Sequence, residues 1–219
     1  MKFVFAILLL LSTNAFGQYR PEENPLFNGE RKFTGGLVAG INACQVDGDY
    51  LNGYHKLGIN VGAVAFVNFT SRIAASLELL YSQKGSYSVT TSESPYFGTY
   101  FAKYSIQLNY AELPLVFHYY ITPRYHLGIG ASYNVLIGSK EMYNDASFNT
   151  IIDPEIYPFN RQTFDGLLSG NVVLWRGLML NVRYQYSLTT IRKLQNIPAG
   201  LGFENQKNNM FTFRFMYLF

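Results

Sequence analysis

One cysteine, Cys44, is present in the 219-residue chain, so no disulfide can close within it. A fold of this chain must be held by hydrogen bonds and packing alone. Charge is scarce as well, at 14% of residues, and the formal net charge of +3 is too small to argue for nucleic acid as a partner. Beyond the first seventeen residues no segment approaches the ~20 consecutive apolar residues of a membrane helix. No glycine motif follows the strand-to-helix pattern that cradles a nucleotide. Aromatics, by contrast, are abundant: 17% of the chain, with 18 Tyr and 18 Phe. High apolar content, little charge and no helix-length run together point to strands in a membrane.

The front end has the layout of a secretory signal peptide. Lys2 supplies the positive start, Phe3 to Leu11 the apolar core, and Ala15 and Gly17 the small residues before cleavage, predicted between Gly17 and Gln18. The core is too short to span a bilayer. Residues 18–32 are polar, contain two prolines and read as a flexible periplasmic leader. The domain is expected over 33–219.

From Phe33 onward apolar and small polar residues alternate, the period-two signature of strands. The last stretch is the clearest: Phe211, Phe213, Phe215, Tyr217 and Phe219 share one face, while Thr212, Arg214, Met216 and Leu218 share the other. Alternation predicts strands at 36–44, 57–69, 73–81, 104–121, 125–138, 163–175, from 178 to 187, and 211–219. In the fourth the apolar phase shifts near Ala111 and Glu112, just before Pro114, which predicts a β-bulge there. Long polar connections (45–56, 85–103, 140–162 and 189–207) alternate with tight turns (70–72, 122–124 and 175–177). This is the pattern of an eight-stranded antiparallel up-and-down β-barrel of the bacterial outer membrane, with long loops outside and both termini in the periplasm.

Which face is wet is decided by the second face of each strand. It carries Gly, Ser, Asn and Thr with isolated charges at Glu78, Glu112, Asp165, Arg183 and Arg214, whereas a solvated exterior would carry many Lys and Glu. Small residues with a few opposite charges suit a crowded lumen, where charges must pair. The five are expected as a lumen charge cluster.

Several segments carry a family likeness. Glu78-Leu-Leu-Tyr-Ser-Gln-Lys-Gly85, Tyr110-Ala-Glu-Leu-Pro-Leu115, Gly128-Ile-Gly-Ala-Ser-Tyr133 and Arg183-Tyr-Gln-Tyr-Ser187 resemble segments of the PorT-like bacterial outer-membrane β-barrel family. The resemblance spans Phe33 to Phe219. It implies the fold and location but no activity: a subset of the family belongs to protein-secretion and gliding machinery, and no motif places this chain among them.

Catalytic and metal chemistry find little support. The three histidines, His55, His118 and His126, do not form a ligand set, and His118 shares a face with Glu112, predicting a hydrogen bond in the lumen. Asp47-Gly48-Asp49 lacks the further ligands of a calcium loop and reads as a turn. No cofactor and no enzymatic activity are expected. The reading is a structural or interaction protein of the envelope, the alternatives being a narrow porin, a component of a secretion assembly, or a lipid-modifying enzyme with its site in the loops. Expected partners are outer-membrane lipid, the barrel-assembly machinery during insertion, and envelope proteins met through the loops.

The closing strand yields a prediction. If Phe211, Phe213, Phe215, Tyr217 and Phe219 form a C-terminal assembly signal, deleting Phe219 lowers the amount of folded, heat-modifiable protein in cells. The same deletion has little effect on refolding into detergent without machinery. An equal loss in both settings assigns Phe219 to packing alone.

Overall fold

The computed structural model describes residues 32–219 except 50–52, 95–97, 145–148 and 199. The signal peptide with its Gly17–Gln18 cleavage site, and the leader apart from Lys32, lie outside the described residues.

The alternating segments form strands β1 (Phe33–Asp47), β2 (Lys56–Asn68), β3 (Ile73–Ser94), β4 (Gly98–Tyr120), β5 (Tyr125–Asn144), β6 (Asn149–Ile152), β7 (Gln162–Trp175), β8 (Leu178–Ser187) and β9 (Lys207–Leu218). Neighbours pair antiparallel throughout. Pairing of β4 with β5 and of β1 with β9 closes eight of the strands into a ring, while β6 hangs on the end of β5 and is no part of the wall. The closing seam runs from Gly36 opposite Leu218 to Asp47 opposite Lys207. No helix among the described residues is long and apolar enough to cross a membrane.

The wall is apolar outside and polar inside. Leu79, Ile129 and Phe215 are 64%, 63% and 54% exposed, whereas Arg183, Arg192 and Arg214 are buried to 2% or less. A water-soluble barrel has the reverse order; lipid is the medium in which this one is satisfied. Aromatics bound the apolar band. Phe33, Tyr119, Tyr125, Tyr217 and Phe219 are exposed at the turn end. Towards the loops, Tyr133 lies beside Phe164 and Tyr184 beside Phe211, with ring centroids 5.2 and 5.1 Å apart. Tyr125 to Tyr133 is a rise of roughly 20 Å at a strand tilt near 40°, which fits an apolar band of about 25 Å.

Two expectations need correction. The segment 85–103 is not a polar loop: β3 and β4 stay paired as far as Ser94 opposite Gly98. Its Ser, Thr, Tyr and Val residues suit a strand, and Ala102, Tyr104 and Ile106 are buried on its inner face. The strands therefore rise as an arm well beyond the aromatic belt. The predicted bulge at Ala111 and Glu112 is absent from β4, whose even residues from Ala102 to Tyr120 all point inward without a phase change. The apolar residues change face because the outer part of the lumen is itself apolar. An irregularity does occur nearby, on β5: Asn109 opposes Gly138 and Tyr110 opposes Leu136, so Ile137 is the extra residue. That insertion inverts the phase of β5 and turns Glu141 into the lumen.

Candidate functional site

The interior is stacked in layers, each made where inward residues of neighbouring strands come level. At the turn end, Val38, Phe66, Tyr120, Val173, Met179 and Met216 belong to one buried apolar cluster. Above it, Glu78 of β3 meets two arginines. Arg183 of β8 donates from Nη2 to Oε1 at 2.7 Å and from Nη1 to Oε2 at 3.1 Å. Arg214 of β9 lies 2.8 Å from Oε2 through Nη1 and donates from Nη2 to Oε1 at 3.0 Å. Its Nε donates to Asn181 Oδ1 at 2.6 Å. Gly40 on β1 permits this approach, since a Cβ there would collide with the Phe213 carbonyl and the Arg214 side chain.

A belt of neutral polar groups follows. Asn42 donates to Ser82 Oγ at 2.9 Å and accepts from Thr212 Oγ1 at 2.9 Å. Above the belt, Lys84 Nζ lies 2.5 Å from Glu112 and 2.6 Å from Asp165. Asp165 also accepts from Gln185 at 2.8 Å and Ser187 at 2.9 Å. The first triad carries one positive charge in excess and the second one negative, so the lumen charge cancels across the belt. Each ion is buried and paired, and Glu78, Arg183, Arg214, Lys84 and Asp165 each make two or more contacts, the arrangement in which an ion pair recovers its desolvation cost.

The structure thus divides the five charged residues expected in the lumen. Arg183 and Arg214 both serve Glu78, while Glu112 and Asp165 are held by Lys84, a residue the strand assignment passed over. Lys84 is legible once β3 is drawn to its full length, because 78, 80, 82 and 84 share one face.

The outer mouth is closed by a second apolar cluster that includes Val46, Tyr104, Ile106, Leu108, Tyr110 and Ile191. Arg192, from the β8–β9 connection, passes into it and is fully buried. Its Nη1 and Nη2 donate to the Glu141 carboxylate at 2.6 and 3.0 Å, its Nε donates to Gln206 at 2.9 Å, and its guanidinium lies 4.1 Å from the Phe159 ring centre. Tyr104 donates to the same carboxylate. Burial, then the neighbouring Glu141 charge, push the Tyr104 hydroxyl up from its ordinary pKa, so it stays protonated and donating. The loops at this end are therefore tied into the barrel by a buried charge pair.

Little here is arranged for catalysis. His118 shares a 2.8 Å hydrogen bond with Ser76 deep in the lumen, at the turn end, where Glu78 is committed to its arginines. His126 stands against His118 and Tyr120, with ring centroids 5.2 and 4.5 Å away. His55 is exposed in the β1–β2 connection, far from both. Asp47 accepts from Gln45 at 2.7 Å and from Asn209 at 3.2 Å, and Gly48 has φ of +92°, which makes the Asp47–Asp49 segment a turn. Among the described residues no group of three or more His, Cys, Asp or Glu is placed to hold a metal. Phe211, Phe213, Phe215, Tyr217 and Phe219 all lie exposed on the lipid face.

Residues 16–193 match the family described as outer membrane protein beta-barrel domain. The chain belongs to that family. It is a β-barrel of the bacterial outer membrane. No curated protein matches it in sequence. Among solved structures it is similar to Ail, the attachment invasion locus protein of Yersinia pestis, at 10% identity, over 86% of this chain and 100% of that one, with a TM-score of 0.48. Another Ail structure, in complex with the heparin analogue sucrose octasulfate, matches at 10% identity over the same shares, with a TM-score of 0.45. Neisserial surface protein A matches at 9% identity over 86% of this chain and 98% of that one, with a TM-score of 0.47.

The triads make an ordered prediction about stability in detergent. Glu78→Gln leaves two arginines without their anion and costs roughly 3–5 kcal/mol, the usual penalty for breaking a buried pair. Arg183→Met leaves the neutral pair Glu78–Arg214 and costs less. Lys140→Met, at an exposed position, shifts the urea midpoint little. Equal midpoints for all three variants mean that the lumen charges are hydrated.

Proposed function

We propose that the protein is a closed-lumen interaction barrel, whose business is done by what it projects beyond the membrane rather than by what passes through it. The observation that carries this is the pairing of a sealed interior with an extended arm. The arm formed by β3, β4, β5 and β6 stands above the aromatic belt, and its outer face aligns Tyr87, Ser105, Met142 and Ile151 in one cross-strand row. Tyr87, Val89, Phe101 and Ile151 on that face are 37%, 46%, 66% and 65% exposed. Such a surface, outside the lipid band, is suited to a protein contact.

In this reading the loops and the arm face outward, the turns face the periplasm, and lipid contacts only the band between the belts. The barrel-assembly machinery reads the closing strand, and the signal peptide is removed after Gly17. The PorT-like segments sit where they build the lumen and wall: Glu78 and Lys84 in the triads, Gly128 and Gly130 where β5 runs close to its neighbours. They support a place in that branch of the family without assigning it to secretion or gliding. The protein is not an enzyme in this reading, and it takes no cofactor.

A photo-crosslinking residue placed at Phe101 in living cells should yield a discrete protein adduct, whereas the same residue at Phe117, on the lipid face, should not. Absence of an adduct at Phe101 under conditions where the barrel is folded contradicts an interaction role for the arm.

A further inference from the structure

The arm has one edge that the fold leaves open. Strand β2 accompanies β3 only as far as Asn60 opposite Ser82. Beyond that point β3 continues to Ser94 with β4 on one side and, among the described residues, no strand on the other. The direction of the peptide groups follows from the last covered residue. The Gln83 carbonyl accepts from Asn42 Nδ2 at 2.9 Å, and so faces the β1–β2 side. In an antiparallel ladder every second residue turns its N–H and C=O the same way. Tyr87, Val89 and Thr91 therefore present both groups along the open edge, in a stretch where Tyr87, Val89, Thr90 and Thr91 are all exposed.

Natural sheets blunt such edges with charge, proline or shortness. The opposite edge of the arm obeys that rule, since β6 has four residues. The β3 edge carries a charge only near its tip, at Glu93: Ser86-Tyr-Ser-Val-Thr-Thr-Ser92 before it contains no charge and no proline, and its residue types favour strand.

We propose that this edge is a strand-addition site, which binds an extended segment of another protein as one further antiparallel or parallel strand of the arm. This rests on the interaction reading above and names how the partner is held. Backbone pairing would supply affinity and the flanking side chains selectivity. The segment that fits is uncharged and alternating. Small hydroxylated residues would lie beside Ser88 and Thr90, and β-branched or aromatic residues beside Tyr87 and Val89. A second copy in the same membrane does not fit. Copies related by an axis along the membrane normal run both β3 strands the same way, which removes the antiparallel arrangement. Strand tilts of about 40° then splay a parallel one.

The test uses folded protein in lipid nanodiscs and, as probe, a short synthetic peptide of alternating valine and threonine. Saturable binding is expected, together with new amide-exchange protection at Tyr87, Val89 and Thr91. N-methylation of the peptide on its pairing edge should abolish binding, while methylation at the alternate positions should not. Val89→Pro, which removes an edge-facing N–H and no hydrogen bond to β4, should weaken binding at least about tenfold and leave the heat-modifiable fold intact. No saturable binding to the native protein, equal binding of the two methylated peptides, or native-like binding by Val89→Pro overturns the proposal. If the Phe101 adduct persists in Val89→Pro cells, the arm still makes contacts and strand addition alone has failed.

Discussion

The constraint on which everything else depends is that a peptide group in hydrocarbon finds no water. Every N–H and C=O in the membrane must therefore be paired within the protein, and for a chain without a helix-length apolar run the solution is a ring of strands with no edge. The seam between β1 and β9 completes that ring. Closure fixes the alternation, because each strand must show one face to lipid and the other to the lumen. With eight strands the lumen is only wide enough for its own side chains. The charges that face inward have no choice but to find one another.

How they do so gives the interior its layered form. Two triads of opposite excess charge lie one above the other across a belt of Asn, Ser and Thr, and apolar clusters close both ends. The outer closure depends on Arg192, which comes from a loop and not from the wall, and on Glu141, turned inward by the extra residue Ile137. A loop tied down by a buried ion pair is a firm base for whatever projects above it. The same edge rule that closes the barrel in lipid lapses above the membrane, where water can satisfy β3, and there an edge is left.

Much of this was legible in the sequence, for a physical reason. Period-two alternation reports directly on lipid and lumen faces, so the eight wall strands and the inward charges Glu78, Glu112, Asp165, Arg183 and Arg214 could be read from spacing. Where both faces of a strand are apolar, or both polar, the signal fails. Ile106, Leu108 and Tyr110 face an apolar part of the lumen, and so mimicked a bulge in β4 that is absent. The stretch 85–94 has Ser and Thr on both faces and only Tyr87 and Val89 as large apolar residues, and so resembled a loop. Shortening β3 in this way also concealed Lys84. The partnership of Arg192 with Glu141 had no sequence signal at all, because it depends on a loop path and on the extra residue Ile137 earlier in β5.

The central claim, that the barrel is sealed and acts through its projection, is tested most directly by single-channel recording of the purified protein in planar bilayers. A lumen filled by Glu78, Arg183, Arg214 and Lys84 and capped at both ends predicts no stable conductance steps. Reproducible, long-lived steps from a preparation free of other porins would contradict it.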